Sequence, residues 1–317
     1  MDTVCSVSLY EPYPDELFEE IFTRLQTIEN NVSAHIESSD VSKINKAAGT
    51  VDSANNKAVT LVHDDTIVIL QAAIKYAQLS DGAFDPSIGP LVELWGLGTE
   101  KAGVPTKQKI QEAIGLVDYT KIEIDTAVKS VYLSRKGMGI DLGGIAKGYA
   151  ADTVVEFLQK NNVERAIIDL GGNIYAYGAK KVAANGKIPW NIGIKNPMDS
   201  AKEPIIALDI VNKSLVTSGI YERFLIKDNI RYHHLFNAKT GYPVNNGLVS
   251  TTIISKYSIE ADALSTAVFV MGYETGARLL DSIDGVDGIF IDETKKIRAT
   301  SGIRSSIALN DDSFRFD

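Results

Sequence analysis

The residues best suited to chemistry in this chain lie in the segment Asp262-Ala-Leu-Ser-Thr266, between a strand-like run and a helical one. In a helix, residues i and i+4 share a face, so the Asp262 carboxylate and the Thr266 hydroxyl are predicted to point the same way. Two hard oxygen donors at this spacing suit Mg²⁺, which binds few protein oxygens and completes its shell with water or phosphate. The alternative is an aspartate that only caps or solvates the first turn of a helix.

A glycine-rich segment, Met138-Gly-Ile-Asp-Leu-Gly-Gly-Ile-Ala-Lys-Gly-Tyr149, passes from a strand pattern to a helix pattern. Backbone amides at a helix N-terminus, together with Lys147, are suited to binding a pyrophosphate. The glycine spacing matches neither the Walker loop nor the dinucleotide fingerprint. The segment therefore predicts a phosphate-binding turn of another type.

A second dense loop, Ser80-Asp-Gly-Ala-Phe-Asp-Pro-Ser-Ile-Gly-Pro90, ends a predicted helix. Its glycines and prolines fix the backbone path from which Phe84 and Asp85 project. One interpretation is an aromatic wall and a hydrogen-bonding edge for a planar ligand. The other is a helix-terminating loop with a phenylalanine in the core.

None of the four histidines has the spacing of a zinc site. His234 lies at the end of a predicted strand and precedes a Lys-Thr-Gly turn, a place from which a histidine can act as a general base or phosphate donor. A satisfied structural histidine is the alternative interpretation.

Hydrophobic periodicity predicts the elements that position these residues. We expect helices over 15–31, 66–79, 106–114, 146–161, 258–270 and 273–283, and strands over 3–10, 164–170, 173–178, 190–195, 204–212, 221–227, 230–236, 248–255, 286–291 and 296–300. Few strands alternate one-for-one with helices, which favours an α+β fold. The stretch Val182–Ile188 is expected to be a surface turn.

Composition limits the class of protein. The 317 residues are 44% hydrophobic and 23% charged, as expected for a globular protein with a large core. The formal charge of −9 argues against a nucleic-acid partner. One cysteine, Cys5, excludes an internal disulfide, and no apolar run is long enough to span a membrane.

Taken in chain order, these segments resemble the FAD:protein FMN transferase family, the ApbE-like proteins. The matching pieces are Met1-Asp-Thr-Val4, Ser39-Asp-Val-Ser-Lys-Ile-Asn45, Gly82 to Val92, Ile140 to Ala150, Ile168-Asp-Leu-Gly-Gly-Asn173, Thr217-Ser-Gly219, His234 to Pro243 and Ala261 to Ala267. No single piece is unique to the family, but the ordered set is specific.

The resemblance implies an α+β fold with a T-fold-like core of mixed or antiparallel sheets and packed helices. It implies one catalytic domain over residues 1–317, or two closely joined α+β subdomains. Such enzymes use FAD and Mg²⁺, pass FMN to a Ser or Thr hydroxyl of an acceptor flavoprotein, and release AMP. Family members are commonly exported, so we expect a periplasmic or lipid-anchored protein whose leader is absent from this chain.

The resemblance also implies roles for individual residues. His234 and Asp262 are the expected catalytic residues, with His234 deprotonating the acceptor hydroxyl. The expected metal ligands are the side chains of Asp262 and Thr266 and the carbonyls of Gly144 and Ser265. The expected FAD contacts are Met1, His35, Ala83, Phe84, Asp85, Asp141, Lys147, Phe236 and Thr240.

Three departures from the family pattern keep alternatives open. Ala34-His35 stands where a tyrosine is expected to stack on the flavin, Asn237-Ala238 replaces an Asp-Pro pair, and Asp2 replaces a glycine. A histidine stacks less well, which would loosen FMN and favour hydrolysis. An FAD pyrophosphatase that makes FMN and AMP is therefore the second hypothesis, and a non-catalytic flavin carrier is the third.

Overall fold

The structure is a computed structural model that describes residues 3–51, 56–183, 186–199 and 201–317. The chain divides into two units, each built from separate stretches of sequence. The first unit comprises Met1–Leu25, Lys147–Tyr221 and Asn245–Asp317, and the second comprises Gln26–Ala146 and Glu222–Val244.

The helices and strands of the described residues are numbered in chain order. The helices are α1 (Asp15–Val32), α2 (Asp40–Lys46), α3 (Asp64–Leu79), α4 (Gly89–Trp95), α5 (Lys107–Ile114), α6 (Ala146–Lys160), α7 (Ser258–Met271) and α8 (Tyr273–Asp281). The strands are β1 (Cys5–Leu9), β2 (Thr60–Leu61), β3 (Ile122–Asp125), β4 (Ser130–Leu133), β5 (Ala166–Leu170), β6 (Asn173–Tyr177), β7 (Lys181–Ala183), β8 (Gly186–Ile188), β9 (Trp190–Ile194), β10 (Ile206–Ile210), β11 (Lys213–Gly219), β12 (Phe224–Lys227), β13 (Ile230–His233), β14 (Leu248–Ser255), β15 (Asp287–Asp292), β16 (Lys296–Ala299), β17 (Ile307–Leu309) and β18 (Arg315–Phe316).

The first unit is organised by an eight-stranded sheet in the order β1-β5-β6-β11-β14-β15-β16-β18. Neighbouring strands of this sheet are antiparallel except for β16 and β18, which are parallel. A three-stranded sheet, β17-β10-β9, and the short β7–β8 hairpin belong to the same unit. The prediction of an α+β fold with antiparallel and mixed sheets is confirmed.

Strand β14 is buried along its whole length, and its β-branched residues favour the extended conformation. On one of its faces Thr251 contacts helix α7, which packs on β14 and β11. On the opposite face Ile254 joins an apolar cluster that also contains Trp190 and Leu208 of the three-stranded sheet. The first unit therefore has three layers, and α7 forms part of the helical one.

The second unit contains α2 to α5, the β2-β4-β3 sheet and the two-stranded β12–β13 sheet. Trp95, Ile110 and Phe236 form a buried cluster in this unit. The Trp95 indole N–H donates to the Gly241 carbonyl at 2.9 Å, so the chain after β13 is tied to the end of α4. Among the helices of the described ranges, none combines the length and hydropathy of a membrane-spanning segment.

Candidate active site

The residues singled out in the sequence fall into two groups, one in each unit. The first unit holds Lys147, Asp262, Ser265 and Thr266. The second holds His35, Ala83, Phe84, Asp85, Asp141, Gly144, His234, Phe236 and Thr240. Met1, and Asp2 beside it, lie outside the described residues.

Asp262 lies inside helix α7 and not at its start. The helix begins at Ser258, and Asp262 is only 3% exposed. Thr266 follows one turn later and is half-buried. A capping or solvated aspartate is therefore excluded, and the two oxygen donors share a helix face as predicted.

The Asp262 carboxylate is oriented by the first turn of α6. The Gly148 backbone N–H donates to Asp262 Oδ2 at 2.8 Å, and the Lys147 ammonium lies 3.6 Å from Oδ1. This approach needs a glycine, because a Cβ on residue 148 would lie 2.3 Å from the Ser258 carbonyl oxygen and 2.6 Å from the Ile259 Cα. The structure thus brings together Lys147 and Asp262, which lie far apart in the sequence.

A row of hydroxyl groups lies beside Asp262. Ser218 Oγ is 2.8 Å from Ser265 Oγ and 3.5 Å from Thr266 Oγ1, and Ser265 Oγ donates to the Asp262 carbonyl at 2.8 Å. Thr251 Oγ1 donates to the Ser265 carbonyl at 2.8 Å. The predicted metal ligand Ser265 O therefore already accepts a hydrogen bond, and its role stays a prediction. Ser218 was assigned no role in the sequence, although it is the centre of the Thr217-Ser-Gly219 piece.

The donor set around Asp262 fits Mg²⁺. It consists of one carboxylate, of which Oδ1 is not used by Gly148, and the Thr266 hydroxyl one turn away. No cluster of three His, Cys, Asp or Glu side chains that could hold a metal occurs in the described part of the chain. A site with one carboxylate suits a hard cation that takes its remaining ligands from phosphate and water.

The N-terminus of α7 is held by an aspartate that the sequence did not reveal. Tyr257 at the N-cap makes no side-chain cap, and Asp152 of α6 instead accepts hydrogen bonds from the Ser258 N–H at 2.8 Å and the Ile259 N–H at 2.9 Å. Burial raises the pKa of Asp152 to about 7, although these two bonds oppose the shift. Asp152 therefore fixes the start of α7, the helix that contains Asp262.

The Phe84 loop of the second unit is internally bonded. Asp85 Oδ1 accepts from both the backbone N–H and the hydroxyl of Ser87, at 2.8 and 2.6 Å, and Oδ2 accepts from the Tyr119 N–H at 3.3 Å. Burial raises the pKa of Asp85, against these hydrogen bonds. The Phe84 ring is 5% exposed and Ala83 is half-buried. In this structure Asp85 stabilises its own loop, and the FAD contacts assigned to Ala83, Phe84 and Asp85 stay predictions.

The segment that carries Asp141 is held on two sides. Asn45 accepts from the Ile140 N–H at 2.6 Å and donates to the Ile140 carbonyl at 2.9 Å. The Asp141 N–H donates to the Pro86 carbonyl at 2.9 Å, and Asp141 Oδ1 accepts from the Gly143 N–H at 2.8 Å. Asn45 belongs to a piece that the sequence marked without a role, and the structure gives it one: it fixes the backbone next to Asp141. Gly144 follows in the same turn.

The two adjacent histidines have different surroundings. His233 is 4% exposed; its Nε2 bonds the Val244 carbonyl at 2.8 Å and its Nδ1 accepts from the Leu235 N–H at 3.3 Å, and burial lowers its pKa. His234 is half-buried, and its Nδ1 lies 3.3 Å from the Arg223 carbonyl. Because a carbonyl only accepts, this contact places a proton on Nδ1, while Nε2 lies 4.0 Å from Glu222 Oε2. His233 is thus structural, whereas the role of His234 as a general base stays a prediction.

The turn after His234 is held by Asn237. Its Oδ1 accepts from the Lys239 N–H at 2.8 Å and the Thr240 N–H at 3.3 Å, and its own N–H donates to the Tyr242 carbonyl at 2.9 Å. Asn237 therefore fixes this turn although no Asp-Pro pair is present. Thr240 is exposed on the turn.

Phe236 and His35 have opposite exposures. Phe236 is 7% exposed, and its ring centroid lies 5.7 Å from that of Trp95 with the two rings tilted by 34°. His35 is exposed. A flavin contact at either residue stays a prediction.

Comparisons with known proteins identify the family of this chain. The sequence profile of the ApbE family matches residues 1–290. FAD:protein FMN transferase of Treponema pallidum is 36% identical over 98% of this chain and 88% of its own length, and that of Klebsiella pneumoniae is 34% identical over 91% and 86%. The crystal structure of the Thermotoga maritima ApbE protein superposes with a TM-score of 0.82 at 33% identity, covering 95% of this chain and 94% of its own. These relatives are enzymes, and so is this chain, which belongs to the ApbE family.

Proposed function

We propose that this chain is a Mg²⁺-dependent FAD:protein FMN transferase that attaches FMN to a Ser or Thr of an acceptor flavoprotein and releases AMP. The names of its relatives support the transferase activity. The observation that carries the proposal for this chain is the buried Asp262, which is fixed by Gly148 and accompanied by Lys147 and Thr266. This set has the charge and oxygen donors that a pyrophosphate with its metal requires.

The proposed reaction is a substitution at the phosphorus of the FMN half of FAD. The acceptor hydroxyl oxygen forms a bond to that phosphorus, and the bond from the same phosphorus to the bridging oxygen breaks. AMP leaves with the electron pair of the broken bond. The hydroxyl proton goes to Nε2 of His234, because Nδ1 is turned to the Arg223 carbonyl.

Asp262 and Thr266 would hold the metal, which when bound neutralises charge on the pyrophosphate. Lys147 adds a second positive charge beside the same carboxylate. Gly148 keeps one carboxylate oxygen fixed, so the other has a defined direction. Positioning and charge neutralisation are the main contributions that phosphoryl transfer needs from a protein.

The test is to incubate the purified chain with FAD and Mg²⁺ and a library of short carrier-linked peptides, each with one central Ser or Thr. Covalent flavin fluorescence on the carrier and AMP release are measured together. We expect flavinylated carriers with one AMP per FMN transferred, and loss of both in Asp262→Asn or after chelation of the metal. Asp284→Asn, an exposed carboxylate of the same unit, is the matched control. If AMP is released but no carrier is labelled, the transferase proposal is contradicted.

Hydrolysis of FAD to FMN and AMP is the second candidate, and the observation that favours it is the exposed His35 in place of a stacking tyrosine. It requires many turnovers of FAD when no acceptor is present. His35→Tyr is expected to slow FMN release and reduce acceptor-free AMP production. An unchanged FMN off-rate would refute the stacking argument.

We also propose that the protein acts outside the cytoplasm, in the periplasm or attached to a membrane surface by a lipid. Only the family resemblance supports this location. Fractionation of cells that express the gene with its native upstream sequence would test it, and a purely cytoplasmic pool would contradict it.

A further inference from the structure

Two hydroxyl side chains of the eight-stranded sheet face the turn of α7 that carries Asp262, and the proposed chemistry gives neither a role. Ser218 of β11 and Thr251 of β14 lie directly opposite each other on neighbouring antiparallel strands. Directly opposed residues project from the same face of a sheet, which here is the face on which α7 packs. Both side chains are buried, so bulk water does not compete for their hydrogen bonds. We call these two residues the hydroxyl pair.

Both members of the hydroxyl pair bond the same residue of α7. Thr251 Oγ1 donates to the Ser265 carbonyl at 2.8 Å, and Ser218 Oγ lies 2.8 Å from Ser265 Oγ. Ser265 is buried and lies between Asp262 and Thr266, whose side chains are the expected metal ligands. The sheet therefore holds this turn near its centre, with one bond to the main chain and one to a side chain.

The contacts also determine where each hydroxyl proton lies. A carbonyl only accepts, so the 2.8 Å contact from Ser265 Oγ to the Asp262 carbonyl uses the single proton of Ser265. Ser218 then donates its own proton to Ser265 Oγ. Thr266 Oγ1 lies 3.5 Å from Ser218 Oγ, at the outer limit of a hydrogen bond, and only the Thr266 proton remains to lie between them. This arrangement keeps the lone pairs of Thr266 Oγ1 available to a cation.

The same two strands carry a second pair of hydroxyl groups on their other face. Thr217 and Thr252 are also directly opposed, and their Oγ1 atoms lie 2.8 Å apart. Successive residues of a strand alternate between its two faces, so Thr251 and Thr252 project in opposite directions. Both are fully buried. The chain thus offers two neighbouring and equally buried threonines, the first bonded to α7 and the second to Thr217.

We propose that the hydroxyl pair positions the turn of α7 that holds the divalent cation. Thr251 fixes the Ser265 carbonyl. Ser218, through its bond to Ser265, sets the direction of the Thr266 hydroxyl. Hydrogen bonds to the groups that ligate a metal orient those groups and strengthen its binding. The inference rests on the proposed function, because the cation belongs to that reaction.

The experiment measures cation binding without turnover. Mn²⁺ is titrated into the purified chain in the absence of FAD, and free Mn²⁺ is followed by its electron paramagnetic resonance signal. The unmodified chain is compared with Ser218→Ala and with Thr251→Val, which removes the hydroxyl and keeps the branched shape. Thr252→Val is the matched control, and Thr251→Ser retains the hydroxyl. Thermal unfolding midpoints are recorded for every variant.

We expect Thr251→Val and Ser218→Ala each to weaken Mn²⁺ binding about tenfold. The Mg²⁺ concentration that gives half-maximal AMP release should rise by a similar factor. Thr252→Val should lower the unfolding midpoint about as much as Thr251→Val, because each leaves a buried oxygen without its partner, but it should keep the Mn²⁺ affinity of the unmodified chain. Thr251→Ser should also keep that affinity. A purely structural role would lower the midpoint without this difference in affinity.

Two results would overturn the inference. If Thr251→Val and Thr252→Val bind Mn²⁺ with the same affinity, the hydroxyl pair stabilises the fold and does not position the turn. If only one of Thr251→Val and Ser218→Ala weakens binding, the two residues do not act as a pair.

Asp262→Asn separates these failures from a failure of the proposed function. This variant should bind Mn²⁺ far more weakly than the unmodified chain, because it lacks the carboxylate. If the two bind Mn²⁺ equally, or neither binds it, the cation is not held at Asp262. The proposed function then fails first, and the inference falls with it.

Discussion

Substitution of Gly148 by alanine tests whether the contact between α6 and α7 sets the position of Asp262. In an exposed helix this change would stabilise by about 1 kcal/mol, because alanine has the higher helix propensity. Here the new Cβ would lie 2.3 Å from the Ser258 carbonyl oxygen and 2.6 Å from the Ile259 Cα. Both obstacles are backbone atoms, so the two helices must separate.

The size of the effect follows from these distances. Carbon–oxygen contacts are ordinarily about 3.3 Å or longer, so the helices must move apart by about 1 Å. Overpacking of this kind costs about 3 kcal/mol, and weakening the bond from Gly148 N to the Asp262 carboxylate costs about 1.5 kcal/mol more. After subtraction of the propensity gain, we expect a net loss of about 3.5 kcal/mol in the free energy of unfolding. The unfolding midpoint should fall by roughly 6–10 °C.

The assay combines differential scanning calorimetry with the rate of AMP release at several Mg²⁺ concentrations. A displacement of about 1 Å at Asp262 is expected to lower that rate about 100-fold. Gly103→Ala is the matched control, because its nearest atom would be the Lys101 carbonyl oxygen at 3.8 Å. A Gly148→Ala protein with an unchanged midpoint and an unchanged rate would refute the reasoning, because the helices would then have room for the methyl group.

Three further predictions follow from buried polar contacts. Burial raises the pKa of Asp152 from 3.8 to about 7, so the folded chain retains a proton that the unfolded chain releases. The free energy of unfolding should therefore fall between about pH 4 and pH 7. Urea titrations should show this slope in the unmodified chain but not in Asp152→Asn. Asn45→Ala removes both hydrogen bonds to Ile140, which should lower stability by about 2 kcal/mol and weaken FAD binding measured by fluorescence; unchanged FAD affinity would separate this residue from the site. His234→Gln should slow transfer at least 100-fold with little change in the free energy of unfolding. His233→Gln should instead lower the free energy of unfolding by about 2 kcal/mol. If both substitutions had similar effects, the separate roles of the two histidines would be contradicted.

Long elements with a clear period were predictable from the sequence. Helix α1 was expected over 15–31 and is observed as Asp15–Val32, and β14 was expected and observed over 248–255. Burial on one face, or on both, leaves a strong pattern in each case. The pairing of Asp262 with Thr266 was predictable for the same reason, because i and i+4 positions on a helix have a fixed relation.

Short helices that begin among loop-forming residues were not predicted from the sequence. The helices α2 and α4 have seven residues each, and α4 begins at Gly89 with Pro90 as its next residue, which the sequence presents as the end of a loop. Contacts between distant segments were also not predictable. Asp152 caps α7 from a residue more than a hundred positions earlier, and no local pattern marks that partnership.

The interleaving of the two units has a consequence for how the chain acquires its structure. Strand β1 pairs with β5, so the N-terminal strand must wait until residues near 170 are available, and the sheet is complete only when β18 has been made. Strands that meet across such sequence separations close slowly, because loop entropy is lost before the contacts form. The stretch Gln26–Ala146 carries most of the second unit and is available much earlier during synthesis. We therefore expect refolding in more than one phase, with the pairing of β1 and β5 in a slow one.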